Sequence, residues 1–264
     1  MKRDEQLKQD AFYNRSLERA LQILNAFSAE RSELSLGQIA ETLDLSKATI
    51  LRLCSTLVKF GFLRQDQESK KYYLGLKLFE LGSVVVSSFS LTRIASPHLT
   101  ELESKLGKTV FLGILEDGEL LYVDKREGAK DGIRFTSNIG KRRPPYWGML
   151  GSVLMAYLPE KEIDDLLARH PLTPTARKSF TRVDQYKEWL RQIREQGYVI
   201  EDETAFEGIG GVAAPIWDFR DRVTAALGVG FIASSVDSKS LKKIIKEVTV
   251  TALEISSELG YNGR

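Results

Sequence analysis

Ser35-Leu36-Gly37-Gln38-Ile39-Ala40-Glu41-Thr42-Leu43-Asp44-Leu45-Ser46-Lys47-Ala48-Thr49-Ile50-Leu51-Arg52-Leu53-Cys54-Ser55-Thr56-Leu57-Val58-Lys59-Phe60-Gly61 holds two helix starts and two helix stops. Ser35 followed three residues later by Gln38 is a capping box, in which each side chain satisfies a backbone N–H of the other. The short helix it opens carries Leu36, Ile39, Ala40 and Leu43 on one side. Asp44-Leu45 supplies a turn, and Ser46 caps a further helix reaching about Phe60. Gly61 then stands where a left-handed C-terminal cap is wanted. Two short helices joined by such a turn form a helix-turn-helix unit.

The chain on either side extends the unit. From Ser16, Leu17, Leu21, Leu24 and Phe27 recur at helical spacing and predict a first helix. After Gly61, Phe62-Leu63-Arg64 and Lys71-Tyr72-Tyr73-Leu74 read as two strands around a polar tip, and the whole is a winged helix-turn-helix. On the last helix Ile50, Leu53, Cys54 and Leu57 face inward, which makes Cys54 a core residue, while Lys47, Thr49, Arg52 and Thr56 face elsewhere. The N-terminal half of that outward face is where a recognition helix meets base edges. The candidate DNA-contacting residues are therefore Ser35, Ser46, Lys47, Ala48, Thr49 and Arg52, with Lys70 and Lys71 of the wing against phosphate. Between Ser46 and Lys77 seven basic residues face two acidic ones, a local excess that attracts phosphate. An ordinary solvated surface has the same signature, and a three-helix protein-interaction module shares the apolar pattern, so the weight rests on the combination.

Residues 1–14 read as a polar tail, 15–75 as the winged domain and 76–90 as a linker helix. A larger domain follows over 91–264. Pro97 is placed in the first turn of a helix reaching Leu106. Val110–Leu115 and Glu119–Lys125 are strands around Asp117-Gly118, a hairpin signal. Helices are expected over Trp147–Leu158, Glu160–Ala168 and Val183–Gln196, strands over Tyr198–Asp202, Val212–Trp217 and Thr224–Phe231, and a closing helix over Lys239–Leu259. Hairpins with flanking helices give an α+β fold.

Composition narrows the function. The 264 residues, 42% hydrophobic and 28% charged, suit a globular protein of two domains. The single cysteine excludes an intrachain disulfide and a cysteine-rich metal site. The charged N-terminus is unlike a signal peptide, and no apolar run approaches membrane length, so a cytoplasmic location is expected. Neither histidine, His98 nor His170, sits in a catalytic pattern, and no Walker loop, zinc spacing or nucleophile elbow occurs. Gly208-Ile209-Gly210-Gly211 is followed by a strand rather than the helix a phosphate loop needs. No catalytic residue, metal or cofactor is assigned.

The sequence resembles the IclR family of bacterial transcription regulators over nearly its whole length. The resemblance rests on Ser16 through Leu24, Leu45 through Leu53, Leu57 through Leu63 and Tyr72-Tyr73-Leu74-Gly75 with Leu81-Gly82. In the second domain it rests on Pro97-His98-Leu99 with Leu102, Gly107-Lys108-Thr109-Val110, Gly197-Tyr198 and Gly208 through Pro215. It implies a GAF-like antiparallel-sheet effector domain with a small-molecule pocket. It also implies a homodimer or dimer of dimers (a homotetramer), joined partly through the linker helix and bound to palindromic double-stranded operator DNA, most often as a repressor.

The same resemblance places the pocket at Phe135, Trp147, Met149, Leu150, Glu201, Ile209, Gly211, Gly228 and Gly230. Several positions depart from the family pattern. Tyr146 and Ser152 replace its usual histidine and lysine, Gly211 a frequent cysteine, and Gly228 and Gly230 the serines of members that bind small keto acids. Lost hydroxyls remove donors for a carboxylate, and the glycines either leave space or ease backbone packing. With Glu201 as acidic anchor, the expected effector is neutral or hydroxylated and aromatic-like rather than a small keto acid. A pocket closed by Trp147 and Phe135 as core residues is the other reading.

Overall fold

The computed structural model describes residues 14–28, 31–88, 90–128, 135 and 137–263. The chain divides into two compact units, Met1–Ser88 and Phe89–Arg264. The first opens with α1 (Arg15–Asn25), capped by Asn14, whose side-chain oxygen accepts the N–H groups of Ser16 and Leu17 at 3.0 and 3.1 Å. Asn14, the last residue of the expected tail, is thus the helix cap, and the rest of that tail lies outside the described residues. The inward stripe is Ala20, Ile23 and Leu24 of α1, with Phe27 just beyond its end, while Leu17 and Leu21 are 59% and 52% exposed. Both faces have helical spacing, and the one carrying β-branched Ile23 goes inward.

The helix-turn-helix follows as α2 (Leu36–Leu43) and α3 (Lys47–Lys59). Both halves of the capping box form: Ser35 Oγ accepts Gln38 N–H at 3.3 Å and Gln38 Oε1 accepts Ser35 N–H at 2.8 Å. Asp44 takes the left-handed conformation between the helices, and Gly61 follows α3 with φ +75°. Ile23, Ile39, Ile50, Cys54, Leu63 and Tyr72 close one core. The wing strands β2 (Leu63–Gln65) and β3 (Tyr72–Leu74) are joined by β1 (Glu33–Leu34), in the order β1-β3-β2. At two residues β1 is too short to show alternation. Helix α4 (Leu76–Ser88) ends this unit.

The second unit begins with α5 (Ser90–Leu106), in which Pro97 is internal rather than in the first turn. An internal proline costs a helix about 3 kcal/mol. Leu91, Ala95, Leu99 and Leu102 form one continuous buried face across it, and full burial of a leucine returns about 1.5–3 kcal/mol. A six-stranded antiparallel sheet carries the domain in the order β6-β5-β4-β9-β8-β7. Its strands are β4 (Thr109–Glu116), β5 (Glu119–Arg126), β6 (Arg142–Arg143), β7 (Val199–Asp202), β8 (Ile209–Trp217) and β9 (Val223–Ile232). Asp117 and Gly118, with φ of 55° and 79°, make the tight turn between β4 and β5.

Helices cover both faces of this sheet. On one, α5 and the closing helix α9 (Ser238–Glu258) pack on Val110, Leu112, Val212 and Val229. On the other, α6 (Gly148–Ala156), α7 (Glu160–Arg169) and α8 (Val183–Gln196) pack on Phe111, Leu120, Ala213 and Ala226. Strands β8 and β9 are therefore buried almost continuously and do not alternate. His98 is accounted for here: from α5 it reaches Glu258 on α9 at 2.8 Å. No helix among the described residues is long and apolar enough to cross a membrane.

Candidate DNA-contacting face and effector pocket

The exposed start of α3 is the product of two demands. Ile50, Cys54 and Leu57 turn one side into the core, and Ser46 holds the first turn open as N-cap. Lys47, Ala48 and Arg52 are left exposed and Thr49 half-buried. The Ser46 and Thr49 hydroxyls lie 2.9 Å apart and Ser46 Oγ also accepts Thr49 N–H, so both serve the cap first. Ser35 is likewise occupied by its capping box. Lys47 and Arg52 are the free cations of this face, and neither makes an ion pair among the described residues.

In the wing the two lysines differ. Lys70 stands exposed at the tip in a left-handed conformation. Lys71 is ion-paired with Glu33 of β1, which also accepts the Tyr73 hydroxyl at 2.6 Å. That pair holds the Glu33 carboxyl below its ordinary range. The sequence reading missed it because Glu33 lies in a strand of two residues far from Lys71 in the chain. Arg64, counted only in the local charge, lies 4.7 Å over the Tyr73 ring.

The pocket of the second unit lies where the start of α6 meets the sheet. It is a half-open cleft whose empty space, counted out into solvent, is about 460 Å³. Phe135, Trp147, Met149, Leu150, Glu201, Ile209 and Gly230 all line it. Sequence reasoning did not include Phe111, Tyr122, Ser137, Ala205 or Phe206, which also line it. Phe206 packs edge-on against Trp147 with ring centroids 5.5 Å apart. Phe111 and Tyr122 were legible only as strand residues, since alternation gives a face but not what lies on it.

Gly211 and Gly228 are not at the pocket surface. A β-carbon on Gly211 would strike the Met149 sulfur, and one on Gly228 would come 2.9 Å from Leu150 Cδ2. At Gly230 the same test meets Phe135 at 2.9 Å. The volume freed by the three glycines is thus refilled by Met149, Leu150 and Phe135, so they ease close packing rather than enlarge the cavity. The other departures are structural too. Ser152 is buried against the Tyr186 hydroxyl at 3.3 Å, and Tyr146 donates to the Pro171 carbonyl at 2.9 Å.

The polar part of the pocket is small. Glu201 is 6% exposed, and its Oε1 accepts hydrogen bonds from the Thr204 N–H and hydroxyl and the Ala205 N–H. Its Oε2 is buried with no partner among the described residues. Burial pushes this carboxyl above its ordinary range. Tyr122, hydrogen-bonded to Ser137, is pushed up for the same reason. On Trp147 lies the Arg143 guanidinium, 4.6 Å from the ring centroid, and its Nε is also buried without a partner. Among the described residues no cluster of three or more His, Cys, Asp or Glu could hold a metal.

Two family models match this chain. The IclR helix-turn-helix domain covers residues 16–67, and the bacterial transcriptional regulator IclR C-terminal domain covers 83–257. The chain belongs to the IclR family. Among IclR-family relatives it is 37% identical to the transcriptional regulator XynR of Escherichia coli, over 93% of this chain and 97% of that one. The structure of Thermotoga maritima IclR superposes with a TM-score of 0.78 at 29% identity, covering 93% and 99% of the two chains. An IclR homologue from Microbacterium hydrocarbonoxydans, solved as a complex with 4-hydroxybenzoate, has a TM-score of 0.83 at 21% identity, covering 92% and 98%. The present chain is accordingly an IclR-family transcriptional regulator, with a helix-turn-helix DNA-binding domain and an effector-binding C-terminal domain.

Proposed function

We propose that this regulator acts as a cytoplasmic homodimer or dimer of dimers, represses from a palindromic operator, and is controlled by a small-molecule effector that it binds reversibly and leaves chemically unchanged. In this reading 15–75 is the winged domain, α4 the linker and the remainder the effector domain. Lys47, Ala48, Thr49 and Arg52 lie nearest the bases, Ser35 and Ser46 present helix N-termini to the backbone, and Lys70 contacts phosphate. Lys71 contributes less, because Glu33 already holds it. The observation that carries the reading is the pair of cations on the exposed first turns of α3 that make no ion pair among the described residues.

For the effector, the apolar lining of Phe111, Phe135, Trp147 and Phe206 around few polar groups favours a flat, aromatic-type molecule. The fold shared with the 4-hydroxybenzoate complex supports the same class. A thermal-shift screen of aromatic and carboxylic metabolites tests it. A binder raises the melting temperature of the wild type and not of Trp147→Ala, and recovery of the ligand unaltered supports binding without turnover. A chemically changed ligand would overturn the non-enzymatic reading.

A further inference from the structure

Two buried polar atoms of opposite character have no partner among the described residues: the acceptor Glu201 Oε2, which is in the pocket wall, and the donor Arg143 Nε, which is beside it. Such atoms are rare in folded proteins, since a buried group without a partner keeps its full desolvation cost. Although β6 and β7 are opposite edges of the sheet, Trp147 links the two groups. Arg143 is directly opposite Leu120 across the β5–β6 ladder, so it shares the sheet face of Leu120 and Tyr122. Its guanidinium is stacked on Trp147, and both Trp147 and Tyr122 line the cavity with Glu201. Stacking occupies the flat face of a guanidinium and leaves its in-plane N–H fork available, the arrangement that suits a carboxylate. Neither group neutralises the other, because Arg143 makes no ion pair among the described residues.

We infer that Arg143 and Glu201 together select a hydroxy acid, with the ligand carboxylate on the Arg143 fork and a ligand hydroxyl donating to Glu201 Oε2. The inference rests on the pocket reading above: with the Arg143 cation beside the pocket, a hydroxylated ligand can carry an acid as well. One guanidinium balances one carboxylate. A phosphate, with its second charge, would face Glu201 uncompensated. The hydroxyl satisfies the carboxylate oxygen left over once Thr204 and Ala205 have filled the other. The same two contacts could be made by an aromatic or by an aliphatic hydroxy acid.

Calorimetry on the full-length protein tests this with 4-hydroxybenzoate and D-gluconate as the two kinds of hydroxy acid. Benzoate lacks the hydroxyl, phenol the acid, and 4-methoxybenzoate keeps the oxygen but not the donor. At least one hydroxy acid is expected to bind. Arg143→Met, which keeps a stem over Trp147, should weaken it about tenfold or more, the scale of a hydrogen bond to a charged group. If the aromatic acid is the binder, wild type should prefer it to 4-methoxybenzoate. Glu201→Gln should narrow or reverse that preference, because an amide can donate to the ether oxygen. A merely structural role for Glu201 would lower all ligands alike. If gluconate is the binder, Arg143→Met should weaken it equally and phenol should not bind. Phenol binding that is lost in Trp147→Ala and indifferent to Arg143→Met would leave the pocket reading standing and overturn the hydroxy-acid inference. Binding of none of these compounds would overturn both.

Discussion

Cys54 and Glu201 show how burial shifts the chemistry of a side chain. The Cys54 thiol is fully buried among apolar neighbours of α3, and desolvation pushes its pKa up to about 11. It should therefore resist alkylation by iodoacetamide at about pH 8 in the native protein and react on unfolding in urea. Labelling of the folded chain at the rate of a free thiol would contradict the packing. Glu201 carries a raised pKa with a clear stability consequence. Its folded value lies above the ordinary 4.5, so the folded state holds the proton more tightly than the unfolded one. Stability then falls as pH rises from 4.5 through the raised value. Asp202 adds to the shift, and the Thr204 and Ala205 hydrogen bonds oppose it. Glu201→Gln should gain stability relative to wild type as pH rises above that point, and a difference that does not vary between about pH 4 and 8 would show that the carboxyl titrates normally. In the wing, Lys70→Ala should lower the salt slope of DNA binding by about one. Lys71→Ala should lower it by less, since the Glu33 pair must open first.

At the scale of elements, caps and apolar stripes decide which segments form. Ser46→Ala should cost about 1 kcal/mol in urea unfolding, because it removes the side-chain acceptor of the first turn of α3. Lys47→Ala should stay within about 0.5 kcal/mol, as exposed changes away from caps usually do. Gly228→Ser should overpack the wall by about 1–3 kcal/mol, and Met149→Ala should relieve part of that cost when the two are combined. The capping box at Ser35-Gln38, the Asp117-Gly118 hairpin and the long apolar stripes were legible in the sequence because each signal is local. Three features were not. The two-residue strand β1 has no periodicity to read, and α1 offers two competing faces whose choice depends on the core it meets. The internal Pro97 was read by local preference, whereas burial of Leu91 and Ala95 extends the helix through it. In the pocket, resemblance indicated which positions converge, but not that Met149 would fill the space beside Gly211 or that Arg143 would lie on Trp147.

For the whole molecule, the account requires that the two sites share a free energy. If effector weakens operator binding by some factor, operator must weaken effector binding by the same factor, typically 1–3 kcal/mol of coupling. Measuring both affinities in a four-sided cycle checks this, and a factor of one along both edges would show that the two sites are not coupled. Whether the exposed start of α3 reads DNA sequence is decided by one comparison. Double-stranded DNA is selected from a random pool by the wild-type protein, and its affinity is measured for wild type and for Arg52→Ala at fixed salt. The account predicts a palindromic selected site, and for Arg52→Ala a loss of about 1–3 kcal/mol per base contact removed, with unchanged melting temperature and little change on unselected DNA. Equal affinity of both proteins for the selected site would contradict it.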